Sequence, residues 1–430
     1  MPMTLAEKIL ARASGRSEVA PDHLVVARVD LAMSHENADL VRKSFLDIGV
    51  PRVWDPEKIV IIFDHRVPAE SEKTATTHKA VREFVAAQGI RHFYDVGRGG
   101  ICHQVLAENG HVRPGMIVVG TDSHTTTHGA FGALATGIGA TEMAGVWCEG
   151  TLWFKVPTTL RILVEGKFRP WISAKDLILH VIGMLGAAGA DYRAVEFDGA
   201  AVRDMSVASR MVLANLSMEM GAKCAFTPVD DTLIEYLFPL CGELEAIAPD
   251  ADARYERLVH VHASEDLPEP VVACPHAVDR VKPISALGDI PVHQAVLGSC
   301  TNGRLEDLEI AAAMVAGRKV HPRTRLIVIP ASQQIYRAAI RAGYIETLIA
   351  AGAMINPPGC GPCVGVHQGI LAAGETCVSS TNRNFLGRMG SKDSLVYLAS
   401  PAVVAASAIA GRLIHPMEVA KESMLCLTRG

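Results

Sequence analysis

The 430-residue chain is longer than one hydrophobic core usually organises, so two or three domains are expected. Its 49% hydrophobic and 20% charged residues describe a folded globular protein and exclude a disordered one. A formal net charge of −5 argues against a broad nucleic-acid-binding face, and no stretch has the length and apolarity of a membrane span.

The N-terminus lacks a basic segment followed by an apolar one, so no signal peptide is expected and a cytoplasmic setting follows. There the ten cysteines (102, 148, 224, 241, 274, 300, 360, 363, 377 and 426) should be reduced. Most of them read as small buried apolar residues, and a few as ligands or reactive thiols.

Taken in chain order, short β-branched runs alternate with helical patterns, an α/β texture. Strands are expected at 58–63, 116–120, 159–164, 294–297 and 325–329. Helices are expected at 72–88, 174–185, 206–220 and 305–316. Ser173 and Asp176 form a capping-box pattern at the start of the second helix. The charged, proline-bearing stretch 246–282 reads as a low-order connection. The domain plan is therefore 1–156, 157–282 with that connection, and 283–430.

Chemically capable groups follow the apolar runs. Asp64-His65 follows 58–63, Asp122-Ser123-His124 follows 116–120, and Gly-Ser-Cys300-Thr-Asn-Gly follows 294–297. Asn382-Arg383 comes just after the short run 376–378. In open parallel sheets ligands bind beyond the carboxyl ends of the strands, so these junctions predict sheets aimed at one cleft.

Gly359-Cys360-Gly361-Pro362-Cys363 places two sulfurs on one tight turn, which suits a metal, an iron–sulfur cluster or a thioredoxin-like redox pair. Cys300, on a loop of small residues, adds a third sulfur. Three thiolates can hold a cubane and leave one iron open for Lewis-acid work. A four-thiolate zinc site with Cys377 stays open on spacing alone.

His65, His103 and His124, with Asp64 and Asp122, are a histidine–carboxylate set suited to proton transfer. His124 and His128 imitate a zinc pair, but the threonines between them are poor α-helix material. Asn215 and Glu219 share a face of the 206–220 helix. Arg383 and Arg388 read as guanidinium clamps for an acidic substrate.

Four motifs in order resemble the aconitase family: Gly-Thr-Asp-Ser-His-Thr-Thr-Thr-His-Gly-Ala-Phe-Gly-Ala-Leu (120–134), Gly-Ser-Cys-Thr-Asn-Gly-Arg (298–304), Gly-Cys-Gly-Pro-Cys (359–363) and Thr-Asn-Arg-Asn-Phe-Leu-Gly-Arg (381–388). Weaker similarity covers nearly the whole chain. The resemblance implies three α/β domains of the aconitase type around a central cluster-binding cleft. It implies a hydro-lyase with one [4Fe–4S] cluster on Cys300, Cys360 and Cys363, one iron being free of cysteine.

By the same resemblance, catalysis falls to the pairs Asp64–His65, His103–Asp122 and His124–Glu219. Ser123, Asn215, Asn382, Arg383 and Arg388 match substrate- or cluster-contacting positions. His35-Glu36 stands where single-chain aconitases carry Gln-Asp, which places His35 among the substrate contacts and favours a branch that isomerises 3-isopropylmalate. Homoaconitate, or a small diacid such as maleate, citraconate or dimethylmaleate, is the alternative. The family's swivelling domain, with its catalytic base, is expected on a separate small subunit. A thiol oxidoreductase built on Cys360 and Cys363 is the rival of another class.

Overall fold

The computed structural model describes residues 1–420, so Cys426 lies outside the described residues. Contacts gather the chain into two compact units: Met1–Gly166 with Ala188–His262, and Lys167–Ala187 with the described residues from Ala263 onward.

In the first unit an antiparallel ribbon pairs β1 (Leu24–Arg28) with β7 (Thr151–Lys155). Between them in the chain come β2 (Leu31–Ser34), β3 (Ile59–Ile62), β4 (His92–Tyr94), β5 (Ile117–Gly120) and β6 (Leu134–Gly137). These five form an all-parallel sheet in the order β4-β3-β2-β5-β6. The strands β2, β3 and β5 are buried at every residue, as an all-parallel sheet covered on both faces requires. Few aromatics are available, and three of them lock the covering helices together. Phe45, Phe84 and Trp147 come from helices Ala38–Ile48, Glu72–Gln88 and Ala140–Glu149, with Phe84 stacked on Trp147 at 5.5 Å.

A second all-parallel sheet of this unit runs β10 (Cys224–Phe226), β9 (Ala194–Asp198), β8 (Thr159–Glu165), β11 (Arg257–His262). Gly129, in a 3-10 helix that follows β5, lies directly on β10. A Cβ at Gly129 would fall 1.3 Å from the Ala225 carbonyl oxygen, so only glycine allows this approach.

The second unit carries one mixed sheet of β12 (Val271–Ala273), β13 (Val281–Pro283), β14 (Gln294–Leu297), β15 (Arg325–Val328), β16 (Met354–Ile355), β17 (Thr376–Ser379) and β18 (Leu395–Leu398). Its order is β13-β12-β18-β17-β14-β15-β16, antiparallel only at β12. Among the described residues no helix is long and apolar enough to cross a membrane.

The helices at Glu72–Gln88 and Ala174–Leu185 and the strand at Gln294–Leu297 match the sequence expectation, and the Ser173–Asp176 capping box forms. Three expectations are corrected. The stretch 246–282 is not a low-order connection, since it contributes β11, β12 and part of β13. The polar alternation of β11, with only Val259 and Val261 buried, and the brevity of the other two hid them.

The helix expected at 206–220 is α-helical only over Val207–Leu216 and then tightens to a 3-10 turn over Ser217–Met220. There the Ser217 hydroxyl donates back to the Leu213 carbonyl, and Gly221 closes the turn at φ 87°. Finally, 157–282 does not form a compact unit by itself. Helix Ala174–Leu185 packs against β12 and β13 and departs with them, while β8 to β11 stay with the first unit.

Candidate functional site

The five-stranded sheet reverses its winding between β2 and β5: β3 and β4 lie on one side, β6 on the other. This topological switch point is where open parallel sheets present ligands. His35 follows β2, Asp64-His65 follows β3 within two residues, and Asp122 follows β5.

At that point the imidazoles and carboxylates interlock. His65 Nδ1 lies 2.5 Å from Asp64 Oδ1, while Asp64 Oδ2 accepts the Cys102 N–H at 2.8 Å. Asp122 is shared by three rings. His103 Nε2 is 2.9 Å from Oδ1, His124 Nδ1 is 3.6 Å from Oδ1, and His65 Nε2 is 3.6 Å from Oδ2. Burial alone would raise the Asp122 carboxyl, but hydrogen bonds from His103, His124 and His65 outweigh it and hold it well below the usual carboxylate range.

His124 Nε2 reaches Glu219 Oε1 at 2.7 Å. Burial works against its charged form, yet Asp122 and Glu219 together raise it above the usual histidine value. The Ser123 hydroxyl sits 3.4 Å from His124 Nδ1.

The residues that aim these groups are local. Asp122 caps the following helix by accepting the His124 N–H at 2.8 Å. Ser123–Phe131 then runs as a nine-residue 3-10 helix, long for its type. Its threonines are poor α-helix formers. Here Thr125 donates to the Asp122 carbonyl and Thr127 to the His124 carbonyl, both at 2.6 Å and both three residues back, which favours the tighter winding. Asn215 Nδ2 donates to Thr127 Oγ1 at 2.8 Å. His128 does not pair with His124; its Nε2 faces His103 Nδ1 at 3.4 Å.

His35 stacks on His65 with ring centroids 4.1 Å apart, and its Nε2–H donates to the Thr121 carbonyl at 3.2 Å. Glu36, absent from the expected site residues, accepts the main-chain N–H groups of His65 and Arg66 at 3.1 and 2.9 Å. Burial opposes its ionisation, but His35, His65 and the Arg66 N–H hold it below the usual range. Its position directly after a buried strand was the available signal.

The second unit's sheet also reverses, between β14 and β17. Cys300 follows β14, and Asn382, Arg383 and Arg388 follow β17. Ser299 Oγ lies 3.8 Å from the Cys300 sulfur and 3.6 Å from the Cys363 sulfur. Asn382 bridges the same two thiols, donating from Nδ2 to Cys300 at 3.1 Å and accepting at Oδ1 from Cys363 at 3.3 Å. One hydroxyl and one amide thus touch both sulfurs, which brings the two loops together around them. Cys360 is on the same turn as Cys363, whose N–H donates to the Cys360 carbonyl at 3.3 Å.

The loop bears backbone strain: Ser299 sits at φ 75° and Gly298 at φ 146°, where a Cβ would meet the Ile329 carbonyl at 2.6 Å. None of the described cysteines is assigned to a disulfide. Cys377 lies inside β17 with its thiol donating to the Val378 carbonyl, and burial pushes its ionisation up. The Cys360–Cys363 turn is a four-residue 3-10 helix, Gly361–Val364, and does not open an α-helix as a thioredoxin-like turn does.

Arg383 lies over the Phe385 ring at 5.9 Å. Arg388 is half-buried, and its Nε has no hydrogen-bond partner among the described residues, a donor suited to an incoming carboxylate.

Comparison with known proteins agrees with these motifs. Residues 7–411 match the aconitase family (aconitate hydratase). The chain is 52% identical to the 3-isopropylmalate dehydratase large subunit 1 of Methanopyrus kandleri, over 97% of this chain and 99% of that one. It is 49% identical to the "Probable methanogen homoaconitase large subunit" of Methanothermobacter thermautotrophicus, over 97% and 98% of the two chains. Among solved structures, aconitase X of Thermococcus kodakaraensis shares the fold at a TM-score of 0.50 and 14% identity, covering 85% of each chain. The chain belongs to the aconitase family, a family of hydro-lyases.

Proposed function

We propose that this chain is the large subunit of a 3-isopropylmalate dehydratase, which removes water from a 2-hydroxy dicarboxylic acid and returns it to the neighbouring carbon. Membership of the family implies an iron–sulfur cluster, and relatives carrying the name "large subunit" imply a small-subunit partner. The finer reading is a single [4Fe–4S] cluster on Cys300, Cys360 and Cys363, with one iron free of cysteine. The small subunit would carry the swivelling domain and the catalytic base.

The observation that carries this reading is the pair of loops that brings Cys300 and Cys363 onto the same serine and asparagine, with Cys360 on the adjoining turn. The residues present fit the group. Three buried thiols stand on glycine-rich loops, a donor set of the kind that holds iron–sulfur clusters. When bound, the cluster supplies a Lewis-acid iron that helps a hydroxyl depart.

The chain's own residues handle the substrate and the proton. Arg383 and Arg388 clamp carboxylates, and Ser123, Asn215, His35 and Asn382 orient the acid. His124, kept protonated between Glu219 and Asp122, stores a proton at Nε2. The pairs Asp64–His65 and His103–Asp122 hold and relay the proton that lets the hydroxyl leave as water. Such transfer contributes about 10²–10⁴ in rate. Homoaconitate is the second reading, favoured by the 49% identical relative named above.

Anaerobic co-purification with the small subunit tests the assignment. It should yield a brown complex with about four irons per large subunit that converts 3-isopropylmalate faster than homoaconitate or maleate. A colourless, zinc-containing complex would overturn the cluster. A preference for homoaconitate would replace the substrate.

A further inference from the structure

Lys175 is fully buried, with 0% of its surface exposed, and no part of the proposed chemistry uses it. It sits in the first turn of helix Ala174–Leu185, whose N-terminal end already carries partial positive charge. A lysine there bears two penalties, loss of water and an unfavourable dipole, so its surroundings must supply compensation.

Two kinds are present, both within the second unit. The Lys175 ammonium donates to the main-chain carbonyls of Ser380 and Thr381 at 2.8 and 2.6 Å. These carbonyls immediately precede Asn382, the residue that bridges Cys300 and Cys363. The Ser380 carbonyl also accepts the Thr301 hydroxyl at 2.7 Å, which ties it to the Cys300 loop. Burial pulls the Lys175 pKa down to about 7, against the fields of Cys300, Cys363, Asp307 and Asp176, which favour its charged form.

We propose that Lys175 is a positioning residue for the cluster: a buried cation that fixes the 380–382 loop and offsets the negative charge collected on the thiolates. The inference rests on the cluster reading above. It goes further by assigning an electrostatic role to a side chain that touches neither substrate nor sulfur.

The test is an EPR-monitored potentiometric titration of the iron-loaded complex, carried out on wild type, Lys175→Gln, Lys175→Met and Lys175→Arg. Glutamine still donates to a carbonyl but lacks the charge, so its half-reduction should move to more negative potential while iron content holds. Arginine should stay nearer wild type. Chelator should strip iron several-fold faster from the methionine variant. If Lys175→Gln fails to fold, Lys175→Met is read in the same way. An unchanged potential in a folded, iron-loaded glutamine or methionine variant overturns the proposal. A wild-type complex with no cluster signal overturns the cluster reading itself, and so the two failures are distinct.

Discussion

The histidine–carboxylate site and the thiol site both sit where a parallel sheet reverses its winding, yet they are held in different ways. In the first unit the ionisable side chains are paired mainly to one another: Asp122 serves three rings, Glu219 holds His124, and Asn215 braces Thr127. In the second unit buried cations hold main-chain carbonyls. Lys175 takes those of Ser380 and Thr381, and Arg304 takes those of Thr301 and Cys300 at 2.6 and 2.9 Å. A site that moves protons needs its charged atoms paired to one another. A site that grips an inorganic group needs its side chains pointed inward, with the loop secured from behind.

That contrast can be broken experimentally. The largest effect is expected from Cys300→Ser, which should remove the brown colour and nearly all activity of the complex while far-UV circular dichroism stays unchanged. A cluster retained at full iron content would deny Cys300 its role. Next comes Asp122→Asn, which takes one acceptor from three imidazoles. The rate should fall by about 10²–10⁴ with iron content unaltered. A parallel loss of iron would show that the two sites are not independent.

Arg388→Lys keeps the charge but loses the planar fork, and should raise KM about 10- to 100-fold with a smaller change in kcat. An unchanged KM would remove Arg388 from substrate binding. The smallest effect is a displacement along the pH axis. His124 is raised above the ordinary histidine value, so its protonated form persists to higher pH than that of an ordinary histidine, and the rate falls only as pH passes the raised value. Glu219→Gln removes one of the two carboxylates that favour the charged ring. The alkaline limb of the rate profile should therefore move to lower pH, and a limb that stays in place or moves up would contradict the assignment of His124 as the proton store.

Much of this was legible in the sequence, for a physical reason. The strand ends carry their chemistry within a few residues, so apolar runs followed by Asp-His or Ser-Cys disclosed both the sheet and the site. Cys300 and Asp122 could be read in that way, and Cys360 and Cys363 from their own spacing. Lys175 could not, because it acts on the main chain of residues more than 200 positions away, a relation no local pattern carries. The strands between 257 and 283 were hidden by short length and polar alternation, and with them the redistribution of helix Ala174–Leu185 to the second unit. The tightening at Ser217 was hidden because periodicity alone does not distinguish the last α-turn from a 3-10 one.

The absence of a side chain at Gly129 reaches further than its own position. The obstacle a methyl would strike there is a carbonyl oxygen within a strand, which has no rotamer to change and nowhere to retreat. The seam between the rod of threonines and the strand beneath it is therefore set by atomic radii, and the histidine–glutamate span inherits that gauge. Any bulkier residue would have to pry the layers apart, and the hydrogen bond between His124 and Glu219 would be disturbed with the spacing.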